Sequence, residues 1–558
     1  MRRTIRAGAV LAAGLLAAAL AACGGSSPSS GSGSASGPSG TLTISNEQGT
    51  LWTCSFNPFN PSNLAQGVTF GQVYEPLAFV NTLQSGKATP WLATAWAWGA
   101  GNKSLTFTIR NGVKWNDGTP MTAADVAFTF NLMKKFPTLD LNSVWSVLSS
   151  VTQQGNKVVM TFKNAAVPYF YYIADQTPIV PQHIWSTIAN PVKYTNTHPV
   201  GTGPFILSSF APTQPTLKKN PLYWDAAKIA PTSVVFPSGS TSQATNQLEV
   251  SSGKFDWAYT YMPDVKATYV DRDPAYNKYW FPPGGSIGLY LNLTQAPYNN
   301  VKFRQGISLA LNRATIAKKA VNGYMAPASL SGLILPNEQQ WLNPSLPNRG
   351  VVSQDIPAAM AAFAKAGYHL SGGKLTGPNG AQATMTIVLP NNYTDWAAAA
   401  TEISSELRAV GIAVSLNEPQ DAQYEQTIQA GTFNAALSGF GGTGSPYTDF
   451  SQALNGSYAA PVHTPTVNNF ERFKSPAFDQ ALATLAAATS PAAQRQATDK
   501  LEQMTYKQVP IVLLYYGGSW GLFSTKHFTG WPSASDPYTL PTTYNYSLLT
   551  VVTHLAKA

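Results

Sequence analysis

Between Ala383 and Asn417 the chain reads "ATMTIVLP", "DWAAAATEISSELRAVG" and "IAVSLN". The outer pieces are short apolar runs of strand length. The middle piece, Asp395–Gly411, is long and alanine-rich and closes on a glycine, the residue that best ends a helix. A strand, a helix and a second strand joined so tightly make a right-handed βαβ crossover, which commits this stretch to a parallel sheet. The same alternation recurs elsewhere. "SLTFTIRNGVKW" (Ser104–Trp115) alternates as a half-buried strand running into an Asn-Gly turn. "TAADVAFTFNLMKK" opens with Thr122 three residues before Asp125, a capping-box start to a helix. "SPAFDQALATLAAAT" and "SPAAQRQATDKLEQMTYKQ" read as two helices ahead of the strand "VPIVLLYY". The sequence therefore predicts an α/β protein, and 558 residues are enough for two or three lobes.

Such a fold has to rest on its core. The chain has two cysteines, Cys23 and Cys54, and so no disulfide framework and no CxxC pair. The apolar run Ala7–Ala22 follows Arg2, Arg3 and Arg6; its 16 residues fall short of the roughly 20 that span a bilayer. A basic start, a short apolar middle and a small-residue exit mark a secretory signal. Its end, Leu20-Ala21-Ala22-Cys23, resembles the lipobox of bacterial lipoproteins, which implies lipidation at Cys23 and leaves Cys54 alone. Residues 24–40 are almost entirely Gly, Ser and Pro, a tether of ~20–25 Å by the random-coil rule. Removing the three signal arginines takes the formal charge from +9 to +6, and no basic run suggests nucleic acid. Charged residues make up 11% and aromatic residues another 11%, a balance suited to uncharged or amphipathic ligands met outside the cytoplasm.

Three motifs point toward chemistry and lack its context. "GGSIG" (Gly284–Gly288) and "GGSWG" (Gly517–Gly521) fit a nucleophile elbow, which needs a strand before the serine and a helix after it. Ser286 follows two prolines and leads into "LYLNL", while Ser519 leads into the strand-like "LFSTKHF". "GFGGTG" (Gly439–Gly444) fits a dinucleotide loop, but Pro446 follows and no acid stands about twenty residues on. The six histidines never fall at metal-ligand spacing. A secreted hydrolase or nucleotide-dependent enzyme built on these loops is the competing reading; the residues favour no catalytic group, no cofactor and no metal.

"PWLATAWAWGAGNKSLTFTIRNGVKWNDGTPMTAADVAFTF" (Pro90–Phe130) resembles the signature region of family 5 extracellular solute-binding proteins, the peptide, nickel and oligosaccharide receptors of ABC importers. "VYEPL" (Val73–Leu77), "VPQHIW" (Val180–Trp185), "PVGTGPF" (Pro199–Phe205), "NPLYW" (Asn220–Trp224), "LNLTQAPYNNVKFRQGISLALNR" (Leu291–Arg313), "AAFAKAGY" (Ala361–Tyr368) and "LRAVGIAV" (Leu407–Val414) follow in the family's order. Asn312 departs from it, many relatives carrying Asp there. The resemblance implies a two-lobed periplasmic-binding-protein-like α/β fold with an enlarged N-terminal lobe and the ligand cleft between lobes. It implies a monomer that closes on a solute and hands it to permease subunits, held outside the membrane by its lipid. The lobes are expected at 41–288 plus 519–558 and at 289–518, with crossings near Gly288 and Ser519. Peptide-binding relatives fix the ligand amine with an Asp after the strand that "FNAALS" represents; here Ser445-Pro446-Tyr447 stands there, with Asp449 nearest. "TCSFNPFNP" (Thr53–Pro61) and "STKHFTGWPSASDPY" (Ser524–Tyr538) look like the cello-oligosaccharide branch. Sugars stack their C–H faces on rings and need neutral hydrogen-bond partners. Trp52, Phe56, Asn57, Tyr74, Phe440, Tyr447, Tyr516 and Trp520 are the ligand-binding candidates, and an oligosaccharide is favoured over a peptide.

Overall fold

The βαβ unit forms as its pattern predicts. In a computed structural model that describes residues 40–45, 51–60, 68–240 and 242–558, Thr384–Val388 and Ala413–Asn417 pair in parallel, Thr384 opposite Ala413. Helix Thr394–Ala409 bridges them. Gly411, at φ +89°, turns the chain out of the helix, its N–H donating to the Arg408 carbonyl at 3.0 Å. These strands belong to a five-stranded sheet in the order Ala413–Asn417, Thr384–Val388, Ala435–Phe440, Pro283–Leu291, Ile511–Gly518. Pro283–Leu291 runs antiparallel to both neighbours. Helices cover the sheet, so Ile511–Tyr516 is buried throughout, which explains its unbroken apolar sequence. Two arginines of the "KFRQGISLALNR" motif bracket that strand: Arg304 Nε donates to the Val509 carbonyl at 2.9 Å and Arg313 Nε to the Leu513 carbonyl at 2.8 Å. Asn312 acts structurally, Oδ1 capping helix Arg313–Val321 by accepting from Thr315 N at 3.0 Å.

The second lobe holds two four-stranded sheets and one of three strands. One pairs Ala93–Trp98, Ser104–Ile109, Lys157–Phe162 and Leu148–Gln154 in that order; another orders Thr41–Thr43, Ser233–Val235, Thr216–Lys219 and Phe205–Ser209. The three-stranded sheet sets Gly521–Ser524 between Trp257–Tyr259 and Asn277–Trp280. The C-terminal helix Asn545–His554 joins the cores of both four-stranded sheets, burying Tyr546 and Leu549 in one and Leu548, Val551 and Val552 in the other. The capping box forms: Thr122 Oγ1 accepts from Ala124 N, and Asp125 Oδ2 accepts from Thr122 N at 2.8 Å.

The chain passes between lobes at two adjacent links. It leaves the three-stranded sheet at Trp280 and enters the five-stranded one at Pro283; it returns from Gly518 to Gly521. The second link carries Ser519, where a crossing was expected. The first lies at Phe281–Pro282 and not at Gly288, which sits in mid-strand paired with Ser438 and Leu513. An added Cβ at Gly288 would come 2.6 Å from Ile511 Cγ2, so that glycine is set by packing and not by a hinge. Ser286 lies within a strand, and Ser519 joins strand to strand; neither has the strand-to-helix elbow. The signal run, Cys23 and nearly all the tether lie outside the described residues. Cys54 is half-buried beside the core that holds Leu42, Trp52 and Phe56.

Motifs scattered along the sequence meet in one buried cluster. Glu75 of "VYEPL" accepts from the indole N–H of Trp91 at 2.6 Å and from that of Trp224 at 3.1 Å. Arg110 lies 4.1 Å over the Trp224 ring. Gly201 of "PVGTGPF" packs on the same segment, where an added Cβ would stand 1.9 Å from the Val73 carbonyl oxygen. Burial raises the Glu75 carboxyl from 4.5 to about 7, against the opposing pull of the indole donors. Between those values the folded chain holds a proton that the unfolded chain has released, so this stabilisation is full below 4.5 and is lost as pH rises to about 7. Chemical denaturation from pH 5 to 7.5 is expected to show Glu75→Gln with a shallower loss of stability than wild type, a difference of up to about 3 kcal/mol. Identical slopes would mean that Glu75 stays ionised in the fold.

Candidate functional site

A cavity of about 780 Å³ lies between the two lobes. Its floor is the pair of strand ends next to the links, Gly284–Ile287 and Gly517–Gly518, with Ser519 and Trp520 of the second link. One wall is built by the C-terminal edge of the five-stranded sheet: Asn392–Trp396 after the first parallel strand, Asp421 after the second, and Gly439–Gly441 at the end of the third. Ligands of open α/β sheets bind at this edge, where the strand order reverses. The facing wall carries Trp52, Phe236, Tyr259, Tyr261 and Tyr544. At the cavity Gln243 of one lobe meets Thr394 of the other, its Oε1 accepting from Thr394 Oγ1 at 2.6 Å and from Thr394 N at 3.1 Å.

Of the eight ligand-binding candidates, Trp52, Phe440 and Trp520 line the cavity. Trp52 is fixed by Nε1 donating to the Phe236 carbonyl at 2.8 Å. Trp520 stands edge-on between Tyr261 and Phe281, with centroids 5.2 and 5.1 Å away. The other five lie elsewhere. Phe56 is a core ring against Phe210. Asn57 is buried in a turn, donating to the Pro191 and Tyr194 carbonyls and accepting from Phe59 N. The Tyr74 hydroxyl is buried and accepts from Asn196 Nδ2 at 2.7 Å. Tyr447 packs on Tyr169. The Tyr516 hydroxyl accepts from Ser329 N at 3.3 Å behind the sheet. Strand alternation explains the last error: successive side chains face opposite ways, and it is Tyr515 that lines the cavity.

Asp449 does not line the cavity. Its carboxylate folds the glycine-rich loop, accepting from Gly442 N at 3.0 Å, Thr443 N at 3.1 Å and Thr443 Oγ1 at 2.7 Å. Burial raises its pKa, opposed by these same donors. Gly442 is at φ +103°, and a Cβ there would stand 1.9 Å from the Gly284 carbonyl oxygen, so the loop can lie on the linking strand only without a side chain. Asn392, Asp395, Trp396, Asp421, Ser286 and Tyr515 line the cavity and were not anticipated. Their signal was the βαβ unit itself, whose strand ends point to this edge.

A cleft between two α/β lobes, next to the links that join them, defines a two-lobed solute-binding protein. The chain belongs to the bacterial extracellular solute-binding proteins, family 5, whose middle-region model matches residues 87–461. It is 26% identical to the nickel-binding periplasmic protein of Escherichia coli over 69% of this chain and 73% of that one. It is 24% identical to the periplasmic oligopeptide-binding protein OppA of Salmonella typhimurium, over 77% and 79%. A periplasmic oligopeptide-binding protein from Thermotoga maritima superposes with a TM-score of 0.85 at 25% identity, covering 93% of this chain and 99% of that one. Its mannohexaose-bound structure gives 0.83 at the same identity and the same coverage. Among the described residues no helix is long and apolar enough to cross a membrane.

Asp449→Ala removes three accepted hydrogen bonds at once and leaves the half-buried N–H groups of Gly442 and Thr443 without their partner. The variant is expected to lose about 2–4 kcal/mol of stability, with amide exchange at Gly442 and Thr443 accelerating ahead of the surrounding sheet. Unchanged exchange at those two amides would mean that the loop holds without the carboxylate.

Proposed function

We propose that this protein is an extracytoplasmic receptor that takes a short oligosaccharide into the cleft, closes its lobes over it and presents it, as a monomer, to the permease subunits of an ABC importer. The observation that carries this reading is the cavity between the lobes, whose floor is the paired strand ends next to the links together with Ser519 and Trp520 of the second link. A solute bound there touches the second link and both walls, so it favours whichever arrangement brings the walls together. Residues 41–282 with 519–558 and residues 283–518 are the two bodies that move. Trp52, Phe440 and Trp520 offer ring faces of the kind that stack on sugars, worth about a kcal/mol each by analogy with aromatic pairs. The mannohexaose held by the Thermotoga protein supports the sugar reading; the peptide carriers among the relatives support a second, which the cavity's acids favour.

Titration with manno-, cello- and xylo-oligosaccharides beside tri- to pentapeptides, followed by tryptophan fluorescence and small-angle scattering, tests this. Saturable sugar binding with a smaller radius of gyration is expected, and Trp520→Ala is expected to weaken it about five- to tenfold. Saturable peptide binding with none of sugars would overturn the sugar assignment; binding without compaction would overturn lobe closure.

We also propose that Cys23 carries the membrane anchor, on the strength of Leu20–Cys23 and the tether behind it. A diacyl anchor supplies the two chains that stable attachment needs. Cys23→Ala is expected to move the protein from the membrane fraction to the soluble one without lowering its stability. The sequence has one cysteine besides Cys54, so a thioether at Cys23 and an intramolecular bridge to Cys54 are alternatives. A mature protein in which Cys54 resists alkylation until reduced, with no added lipid mass, would overturn the anchor.

A further inference from the structure

The lobes touch each other outside the cavity as well as around it. In the first lobe a hairpin pairs Ala78–Asn81 with Lys87–Pro90. Its tip carries Ser85, whose Oγ donates to the Asn337 carbonyl of the other lobe at 2.6 Å. Beside it two glycines meet across the gap, Gly86 at φ +76° and Gly444 at φ +72°. A Cβ added to Gly444 would stand 2.8 Å from Thr82 Cα, and one added to Gly86 would stand 3.2 Å from the Gly444 carbonyl oxygen. A second set of contacts comes from helix Pro446–Leu454, which follows directly. The Tyr169 and Tyr447 rings lie with centroids 6.0 Å apart. Thr448 Oγ1 donates to the Pro168 carbonyl at 3.4 Å, and Gln452 Nε2 donates to the Tyr172 hydroxyl. Each lobe holds its own contact points together. In the first, Asp175 Oδ1 accepts from Val80 N of the hairpin at 2.8 Å; in the second, the loop folded by Asp449 runs straight into the helix. Tyr169, Gly444 and Tyr447 stand outside the cavity, and Gln452 alone of these groups lines it.

We propose that the hairpin tip Thr82–Gly86 and the turn Pro168–Tyr172 form a latch with residues 442–452 of the other lobe, and that this latch sets the affinity of the receptor without touching the solute. The proposal rests on the reading of the protein as a two-lobed receptor and deepens it. Contacts across the lobes exist only while the lobes are together. On opening, each is exchanged for contact with water, so its net worth adds to the closed form alone. A solute that binds the closed form gains apparent affinity by the factor by which the latch raises that form's population, and this factor is the same for every solute. Encounter takes place with the lobes apart, so the latch slows departure and leaves arrival unchanged. Facing rings and neutral hydrogen bonds suit a contact that has to part, because opening strands no buried charge. The two glycines allow backbone to meet backbone; a side chain at either would be strained at its positive φ and would press on the facing lobe. Ser445-Pro446-Tyr447, where an acid for a solute amine was sought, instead presents a ring to the other lobe.

Two measurements on the full chain test this. The first is stopped-flow tryptophan fluorescence with the manno-, cello- and xylo-oligosaccharides and the tri- to pentapeptides named above. Tyr447→Ala, a change at a half-buried residue, is expected to weaken every one of these that the wild type binds by one common factor of about three- to tenfold, carried by the dissociation rate. Tyr169→Ala on the facing lobe is expected to do the same, and the double variant to lose little beyond either single change. Gly444→Ala is expected to act in the same direction as a wedge against Thr82. The second measurement is hydrogen exchange. Tyr447→Ala is expected to accelerate the amides of residues 169–176 in the other lobe, Gln176 N among them, which donates to the Tyr171 carbonyl at 3.1 Å. A loss of affinity that differs from one solute to the next would mean that Tyr447 meets the solute. Exchange at residues 169–176 that ignores Tyr447→Ala would mean that the lobes do not meet there. Either result overturns the latch and leaves the receptor reading standing. Binding of none of these solutes removes the receptor reading, and exchange in the free protein then decides the latch by itself.

Discussion

The pairing of Pro283–Leu291 with Ile511–Gly518 is what the rest of the molecule turns on. Pro283 lies opposite Gly518 and Gly285 opposite Gly517, with a register shift between them. The two links to the other lobe leave from this end, and Ser519 N donates to the Pro282 carbonyl at 2.8 Å, holding them side by side. Two adjacent links permit rotation about their common line far more readily than separation. The same backbone floors the cavity. At Gly518 a Cβ would come 2.4 Å from the Trp520 ring, so that indole can fold back over the link only because the position is a glycine. The pivot and the cavity floor adjoin in one piece of chain, so a solute resting there would bear directly on the lobe angle.

Buried carboxyls organise the irregular segments on either side of that pivot. In one lobe Glu75 gathers two indoles that sit 16 and 149 residues away in sequence. In the other, Asp449 gathers the loop that follows strand Ala435–Phe440. Neither has a cation as its partner. Burying a charge without one is costly, and N–H donors offset part of the cost in each case. Glu75, pushed up to about 7, can also stay protonated near neutrality. Such clusters fix loops without long regular elements, and they explain why short motifs far apart in the chain occur together.

The regular elements were legible because periodicity and caps are local. The βαβ unit, the Thr122 capping box and the strand Ile511–Gly518 all lie where their patterns put them. The order of the motifs carried the fold. Three of the eight candidate residues line the cavity, and the misplacement of the others has one main cause. Aromatic residues in a charge-poor chain are core rings as often as ligand rings, and composition cannot separate Phe56, packed on Phe210, from Trp52, open to the cleft. Tyr515 and Tyr516 differ only in which face of the sheet they take, so an error of one residue swaps cavity for core. A crossing was expected near Gly288; its neighbours show that the glycine is there to let Ile511 pack.

The two aspartates nearest the cleft show why proximity in sequence misleads about charge. Asp449 stands close to the position where an acid was sought, and its carboxylate is taken up by three donors of the protein's own loop. Asp395 comes 54 residues earlier in the chain, after a different strand, yet it lines the cavity near Tyr515. Availability, not position, decides which carboxylate a solute can meet: a group already saturated with hydrogen bonds gains little from a ligand, whereas one held only by its own helix turn gains the full contact. The net positive charge of the chain says nothing against this, because charges on the outer surface are screened by salt and those of a buried wall are not.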